Sequence, residues 1–286
     1  MYYRSFQAGA SAVAGLVLLG TAGTSDPVRA AGNEANFVLY SHHTEPAGET
    51  EINIFNDFSR GVGDLPRYRA QQIEIEHAFT DKLVTALYFD GQKSPDDSYR
   101  FGGWRLEARY RLFEYGAFLN PVLYVEYENE RPAHRYITAA LGRTDTPEPP
   151  GGPRTEHNIE TKLIVGHDIA KGFDVAFNWI NEANLDTGHW EFGYAAGLNY
   201  SLYRADRNKA EPWAIRSVKL GAELYGGLGD NWLGLTADPH VTQQYAGINL
   251  KGALNNDLNF TVGAAAGLTS PSERALIRLQ VGYELK

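Results

Sequence analysis

The sequence predicts an all-β fold, a transmembrane antiparallel up-and-down β-barrel of about 12 strands. The first observation is the alternation in residues 273–286. Ala275, Ile277, Leu279, Val281, Tyr283 and Leu285 hold one set of alternate positions, and Arg274, Leu276, Arg278, Gln280, Gly282 and Glu284 hold the other. Strand side chains alternate between two faces, so one face is apolar and the other polar apart from Leu276. That face is long enough to cross hydrocarbon as a tilted strand, which takes roughly 9–11 residues. The second observation is residues 104–112, where Trp104, Leu106, Ala108, Tyr110 and Leu112 oppose Arg105, Glu107, Arg109 and Arg111. A soluble core rejects such a row of charges, whereas a water-filled lumen or a solvated sheet face accepts it. The third is composition. Aromatics are 12% and Gly is 30 residues, yet mean hydropathy is −0.37. No stretch after residue 30 is apolar enough for a spanning helix, while a barrel needs lipid-facing residues only at every second position. A soluble β-sandwich is the competing fold.

Residues 1–30 read as a cleaved secretory signal peptide. Arg4 gives the positive n-region, residues 8–20 the apolar h-region, and Val28-Arg29-Ala30 a small-residue cleavage point. The leader carries Arg4, Arg29 and Asp26, a charge of +1, so its removal takes the chain from −9 to −10. This acidity argues against nucleic acid as a partner. The chain has no Cys, which excludes disulfides and thiolate sites.

Residues 31–48 form an N-terminal segment outside the barrel wall, and 49–286 form the barrel domain. Within the segment, 36–43 reads as a short strand-like run, predicted to pack in the lumen or at the periplasmic mouth, and Glu45-Pro46-Ala47-Gly48 as a turn. In the first wall strand Ile52, Ile54 and Phe58 oppose Glu51, Asn53 and Asp57; in the next Ile73, Ile75 and Phe79 oppose Gln72, Glu74 and Glu76. Residues 83–90 follow a turn at Thr80-Asp81. After 104–112, Leu123, Val125 and Tyr127 oppose Tyr124, Glu126 and Glu128. Residues 131–156 break the pattern with Pro132, Pro147, Pro149, Pro150 and Pro153, and form the one long loop. Its apolar run 136–141 is predicted to fold inward over the lumen, the alternative being a loop that projects outward. Strands resume at 159–167 and 173–182. In 190–202 Trp190, Phe192, Tyr194, Ala196, Leu198 and Tyr200 oppose Glu191, Gly193, Ala195, Gly197 and Asn199. Strands at 215–225, 242–250, 258–267 and the closing strand complete the set.

Single-chain bacterial barrels have even strand numbers and short periplasmic turns. Counting back from the C-terminus places the turns at 80–81, 170–172 and 255–257 on the periplasmic side and 131–156 outside. Tyr88, Trp104, Tyr127, Trp179, Trp190, Tyr203, Trp213, Trp232 and Tyr283 are the candidates for two interfacial aromatic bands.

Five patterns carry a family resemblance. They are Glu45-Pro46-Ala47-Gly48-Glu49 before a strand; Glu74-Ile75-Glu76-His77-Ala78-Phe79-Thr80-Asp81-Lys82 leading into Ala86-Leu87-Tyr88; Leu106-Glu107-Ala108-Arg109-Tyr110-Arg111-Leu112; Ile159-Glu160-Thr161-Lys162-Leu163-Ile164; and Val281-Gly282-Tyr283-Glu284. With these the chain resembles a family of uncharacterised bacterial outer-membrane β-barrels, similar in style to barrels encoded beside aromatic-degradation (phenol meta-pathway) genes. The resemblance implies architecture and brings no functional residues. Such barrels usually end in Phe or Trp, whereas this chain ends Leu285-Lys286.

The predicted lumen lining is Glu74, Glu76, Arg105, Glu107, Arg109 and Arg111, with Glu126, Glu128, Glu160, Lys162, Arg274 and Arg278. Twelve tilted strands give a backbone diameter of roughly 24 Å, which inward side chains reduce to a narrow channel or close. The sequence holds no Gly-x-Ser-x-Gly elbow and no hydrolase triad. Glu74/Glu76 and Glu126/Glu128 share a face and could be acid–base pairs, but read more simply as lining. His42 and His43, adjacent on a strand, would point to opposite faces and not chelate together. Gly61-Val62-Gly63 reads as turn chemistry. The expectation is therefore a non-enzymatic outer-membrane channel for small solutes, without cofactor or metal. Its partners are membrane lipids and lipopolysaccharide, the barrel assembly machinery and a small solute. The alternatives are a closed structural or surface-binding barrel, or an outer-membrane lipid-acting enzyme.

Overall fold

The computed structural model describes residues 36–61, 67–93, 98–131, 140–147, 155–205, 211–255 and 257–285; the signal-peptide reading of 1–30 lies outside them. The strands are β1 (Thr50–Ser59), β2 (Arg69–Ala78), β3 (Leu83–Lys93), β4 (Arg100–Arg111), β5 (Asn120–Glu130), β6 (Glu156–Ala170) and β7 (Phe173–Asn184). They continue with β8 (Trp190–Arg204), β9 (Ile215–Asp230), β10 (Gly234–Leu235), β11 (Gln244–Leu254), β12 (Leu258–Gly267) and β13 (Ala275–Leu285). Each wall strand pairs antiparallel with its neighbours. β1 pairs with β13 from Thr50↔Leu285 to Ser59↔Leu276, and β8 pairs with β9. The two-residue β10 only extends the end of β9, so the structure is a closed barrel of 12 wall strands. Closure leaves no unpaired edge, the condition for crossing lipid with strands.

The wall is inside out relative to a soluble core. On β4, Leu106 and Tyr110 are 52% and 47% exposed, while Glu107 and Arg111 are 1% and 0% exposed. On β13, Ile277, Leu279, Val281 and Tyr283 face outward, and Leu276, Arg278, Gln280 and Glu284 face inward. Leu83 and Phe173 begin strands just after short turns; in the second of these Gly172 takes φ +75°, the left-handed geometry a tight hairpin requires. Turns 79–82 and 171–172, with Asn255 and Asp257, lie at the mouth where β1 begins and β13 ends, here called the inner mouth. The longer connections open at the outer mouth, where residues 140–147 and 231–243 are described.

Three expectations change. Residues 36–43 form no strand but an irregular segment inside the barrel, because their backbone groups are taken by wall side chains rather than by a neighbouring strand. Tyr88 is not in an aromatic band. It shares the inward parity of Val84, Ala86 and Asp90 and is 5% exposed. Trp179 faces outward but sits midway along β7 rather than at an end. The remaining aromatics do fall near strand ends, with Trp190 and Trp232 at the outer mouth and Tyr203, Trp213 and Tyr283 at the inner.

Candidate functional site

The barrel interior has two unlike walls. Strands β2 to β6 present a ladder of charges. Arg105 donates to Asp90 at 3.0 Å and Glu126 at 2.9 Å, and approaches Glu130 at 3.5 Å. Arg109 pairs with Glu76, lies 2.7 Å from Glu107, and reaches Glu45 at 3.7 Å. Lys162 pairs with Glu160 at 2.9 Å. The Tyr88 hydroxyl lies between the Glu74 and Glu107 carboxylates, at 2.6 and 2.8 Å. Burying charge is costly unless it is paired, and the guanidinium groups reach acids off their own register, since directly opposite positions set like charges together at Glu107↔Glu126 and Glu126↔Glu160. Arg111, at the inner mouth, donates to the Asp81 carbonyl at 2.7 Å.

On the opposite side, strands β7 to β13 set small or apolar inward residues, Ala176, Ile180, Ala195, Tyr225, Ala265 and Leu276, among polar ones such as Asn178, Glu223, Lys251 and Arg278. The N-terminal segment is seated there. Phe37, Val38 and Leu39 are 4%, 4% and 1% exposed. The small residues make the space: a Cβ on Gly263 would lie 2.9 Å from the Phe37 ring. Glu223 on β9 accepts from the backbone N–H groups of Phe37, Val38 and Leu39, the latter two at 3.0 Å, and from Asn249 at 3.0 Å. Asn178 accepts from Tyr40 N–H at 2.7 Å and donates to Tyr40 C=O at 2.8 Å, in place of a strand partner. The Tyr40 ring crosses to the charged wall. It lies edge-on to Tyr124 at 5.3 Å and under Lys162 at 4.5 Å, and its hydroxyl donates to Glu107 at 3.2 Å. At the inner mouth Thr44 N–H donates to the Tyr115 hydroxyl at 3.1 Å, and Thr44 Oγ1 donates to Asp81 C=O at 2.7 Å.

A second piece enters from the outer mouth. Ala140 is 3% exposed and joins the apolar cluster around Phe37, and Leu141 packs against it. Gly142 N–H donates to Phe192 C=O at 3.2 Å, and Thr144 N–H to Val241 C=O at 2.7 Å. The end of the run predicted to fold inward does so; residues 136–139 lie outside the described residues. The space left between the two walls is a cavity of roughly 270 Å³, lined by side chains that include Phe37, Glu126, Glu128, Arg105, Lys162 and Arg278.

Of the predicted lining, Glu74, Glu76, Arg105, Glu107, Arg109, Arg111, Glu126, Glu128, Glu160, Lys162 and Arg278 are all buried inside the barrel. Arg274 is not. It precedes β13 in the outer-mouth connection, where strand alternation has ended, and its side chain is exposed. Glu126, Glu128 and Glu160 bring one carboxylate oxygen each within 4.8 Å of the others. The adjacent His42 and His43 do not diverge, because the chain there is not a strand: their rings lie 4.1 Å apart and both reach Asp168.

Sequence reading missed Glu223, Asn178 and Asp57 as organising residues. Asp57, named only for its face, binds Arg278 through both oxygens, at 2.8 and 2.7 Å. The available signal was the run of small inward residues on β8, Gly193, Ala195 and Gly197, which leaves room for something else in the lumen.

No protein-family model and no curated protein matches the chain. Among solved structures it is similar to the COG4313 outer membrane channel from Pseudomonas putida F1. The identity is 13% over 85% of this chain and 98% of that one, with a TM-score of 0.49. It is also similar to the KdgM porin, at 11% identity over 82% and 99% of the chains and a TM-score of 0.49. A third is the translocator domain of autotransporter NalP from Neisseria meningitidis, at 12% identity over 85% and 90% and a TM-score of 0.46. Identities this low assign no residue a role.

Proposed function

We propose that the protein is an outer-membrane channel for small polar solutes, with its N-terminal segment as an internal plug. The observation that carries the reading is the roughly 270 Å³ cavity inside a closed, lipid-compatible wall, lined mainly by charged and amide side chains. Carboxylates are in excess there: Glu126, Glu128, Glu160, Glu182 and Glu191 are among the acids, against Arg105, Arg131, Lys162, Lys251 and Arg278. Rings of acidic side chains favour cations, so the solute class is cationic or neutral and polar. The apolar belt that includes Leu106, Phe177, Leu224, Ile248 and Val281 is the surface for membrane lipid and lipopolysaccharide. The closing strand Ala275–Leu285 is the segment for the barrel assembly machinery. A channel reading gives the acid pairs no catalytic part: Glu76 and Glu126 are held by Arg109 and Arg105.

A second reading, a closed structural barrel, is favoured by one observation, the packing of Phe37, Val38 and Leu39 into an apolar cluster inside the lumen. Single-channel recording in planar bilayers tests both, on the mature chain and on a chain lacking 36–44. Conductance that rises on removal of the segment supports the plugged channel. Silence in both proteins, with folding verified by heat-modifiable gel mobility, supports the closed barrel.

A further inference from the structure

Away from the cavity, the N-terminal segment and the wall bring three metal-binding side chains together near the inner mouth. The His42 and His43 rings lie 4.1 Å apart. His42 Nε2 is 3.5 Å from Asp168 Oδ2, and His43 Nε2 is 3.0 Å from Asp168 Oδ1. One donor atom from each of the three lies within 4.8 Å of the other two. The rings are held from behind. His43 stacks on Tyr115 at 5.8 Å, and His42 sits over Gly166, where a Cβ would come within 2.4 Å of Nδ1. Both residues are buried, and each Nδ1 lacks a hydrogen-bond partner, so each ring's hydrogen bonding is directed at Asp168. The Asp168 side chain is 49% exposed, which leaves one side open to water.

We propose that His42, His43 and Asp168 form a site for a divalent transition-metal ion of the Zn²⁺ type, and that the ion fastens the N-terminal segment to β6. Two imidazoles and one carboxylate are a ligand set that Zn²⁺ accepts, with water at the remaining position. Ca²⁺ and Mg²⁺ prefer oxygen donors throughout and are disfavoured here. Each neutral imidazole binds through the Nε2 lone pair and carries its proton on Nδ1, so the present Nε2–H contacts to Asp168 are exchanged for metal bonds. Residues 42, 43 and 168 meet only when the segment is seated. An ion that binds this arrangement alone shifts the equilibrium toward it, roughly a hundredfold at a free concentration of 100 Kd.

The test uses the mature chain, refolded in detergent and checked by heat-modifiable mobility. Zn²⁺ uptake is measured by equilibrium dialysis and elemental analysis, and hydrogen exchange is followed at residues 39–44. The expected result is about one Zn²⁺ per chain. Affinity should fall at least tenfold in His42→Ala/His43→Ala and in Asp168→Asn, which changes only the wall residue and preserves its volume. Exchange at 39–44 should slow with Zn²⁺ in the parent protein and not in the variants. Equal Zn²⁺ uptake by the parent and the folded variants, or none by the parent, overturns the site; uptake without slowed exchange overturns the fastening.

Discussion

Arg278 on β13 grips Asp57 on β1 with two parallel hydrogen bonds of 2.8 and 2.7 Å, across the seam where the first and last strands close the barrel. The same guanidinium donates to Phe37 C=O at 3.0 Å, so one side chain ties both the closure and the plug. Both partners are buried, at 4% and 1% exposure. Removing one member of such a pair leaves an uncompensated charge and costs about 3–5 kcal/mol. Arg278→Ala is therefore expected to lower the temperature at which the heat-modifiable form is lost and to release residues 36–39 to protease. Arg278→Ala with Asp57→Ala should recover part of the barrel stability, because no lone charge remains, but not the seating of Phe37. A double variant no more stable than the single would remove the pair from the account of closure.

Leu106 and Glu107 are neighbours on β4 with opposite surroundings. Leu106→Arg puts a charge on the lipid face and is expected to cost roughly 2–4 kcal/mol near mid-depth. This is measurable by urea unfolding of the barrel in lipid vesicles. Cys introduced at 106 should react with a membrane-soluble label and Cys at 107 should not. Equal aqueous labelling at both positions contradicts the inside-out wall.

The β4 alternation was legible because its faces differ at every step, and no other period accounts for four charges at alternate positions. The closing strand was legible for the same reason, and its error at Arg274 marks where the period stops being informative: alternation assigns a face only while the backbone stays extended. Tyr88 misled because the sequence pattern closes its strand at Asp90, whereas β3 runs on to Lys93 and leaves Tyr88 mid-strand, its hydroxyl buried between Glu74 and Glu107. The plug was hidden more deeply. Its backbone partners, Glu223 and Asn178, are more than a hundred residues away and are single polar side chains with no local pattern. The adjacency of His42 and His43 argued against joint action only under a strand assumption that the irregular segment does not meet.

Glu223 is the clamp on that segment. Hydrogen bonds to a charged acceptor are worth about 1.5–3 kcal/mol each, and three backbone donors share this one carboxylate. Glu223→Ala is expected to unseat Phe37 and Leu39, raise single-channel conductance and expose the segment to proteolysis. Glu223→Gln keeps one acceptor oxygen and should fall between the two. Conductance unchanged in a folded Glu223→Ala protein would detach the plug from gating.

In the proposed channel, the acid excess of the cavity is expected to set the sign of selectivity. Glu126→Gln with Glu128→Gln replaces two buried carboxyl groups near Arg105 with amides of the same shape. Reversal potentials under a salt gradient should move from cation preference toward the neutral point. A shift in the opposite direction, or none in a conducting protein, would mean that ions do not pass these carboxylates.

The outer-mouth insertion offers an independent way to open the lumen. Leu141 rests over Gly193 so closely that a Cβ there would come within 2.2 Å of its side chain. Gly193→Ala should therefore push 140–142 outward, at the cost of a small adjustment where the new Cβ would lie 3.0 Å from the Gly226 carbonyl of β9. Deleting 144–154 removes the ties of Thr144 to Val241 and of Thr146 to Asp230. It leaves β5 and β6 paired from Asn120↔Gly166 to Glu130↔Glu156. Both variants are expected to retain heat-modifiable mobility and to conduct more than the parent protein, and their effects should not add, since each withdraws the same residues from the lumen. Larger conductance in one variant only would point to local distortion by that change. Unchanged conductance in both, with the wall intact, would leave Ala140 and Leu141 as packing inside the barrel and assign the rest of the loop to the cell surface.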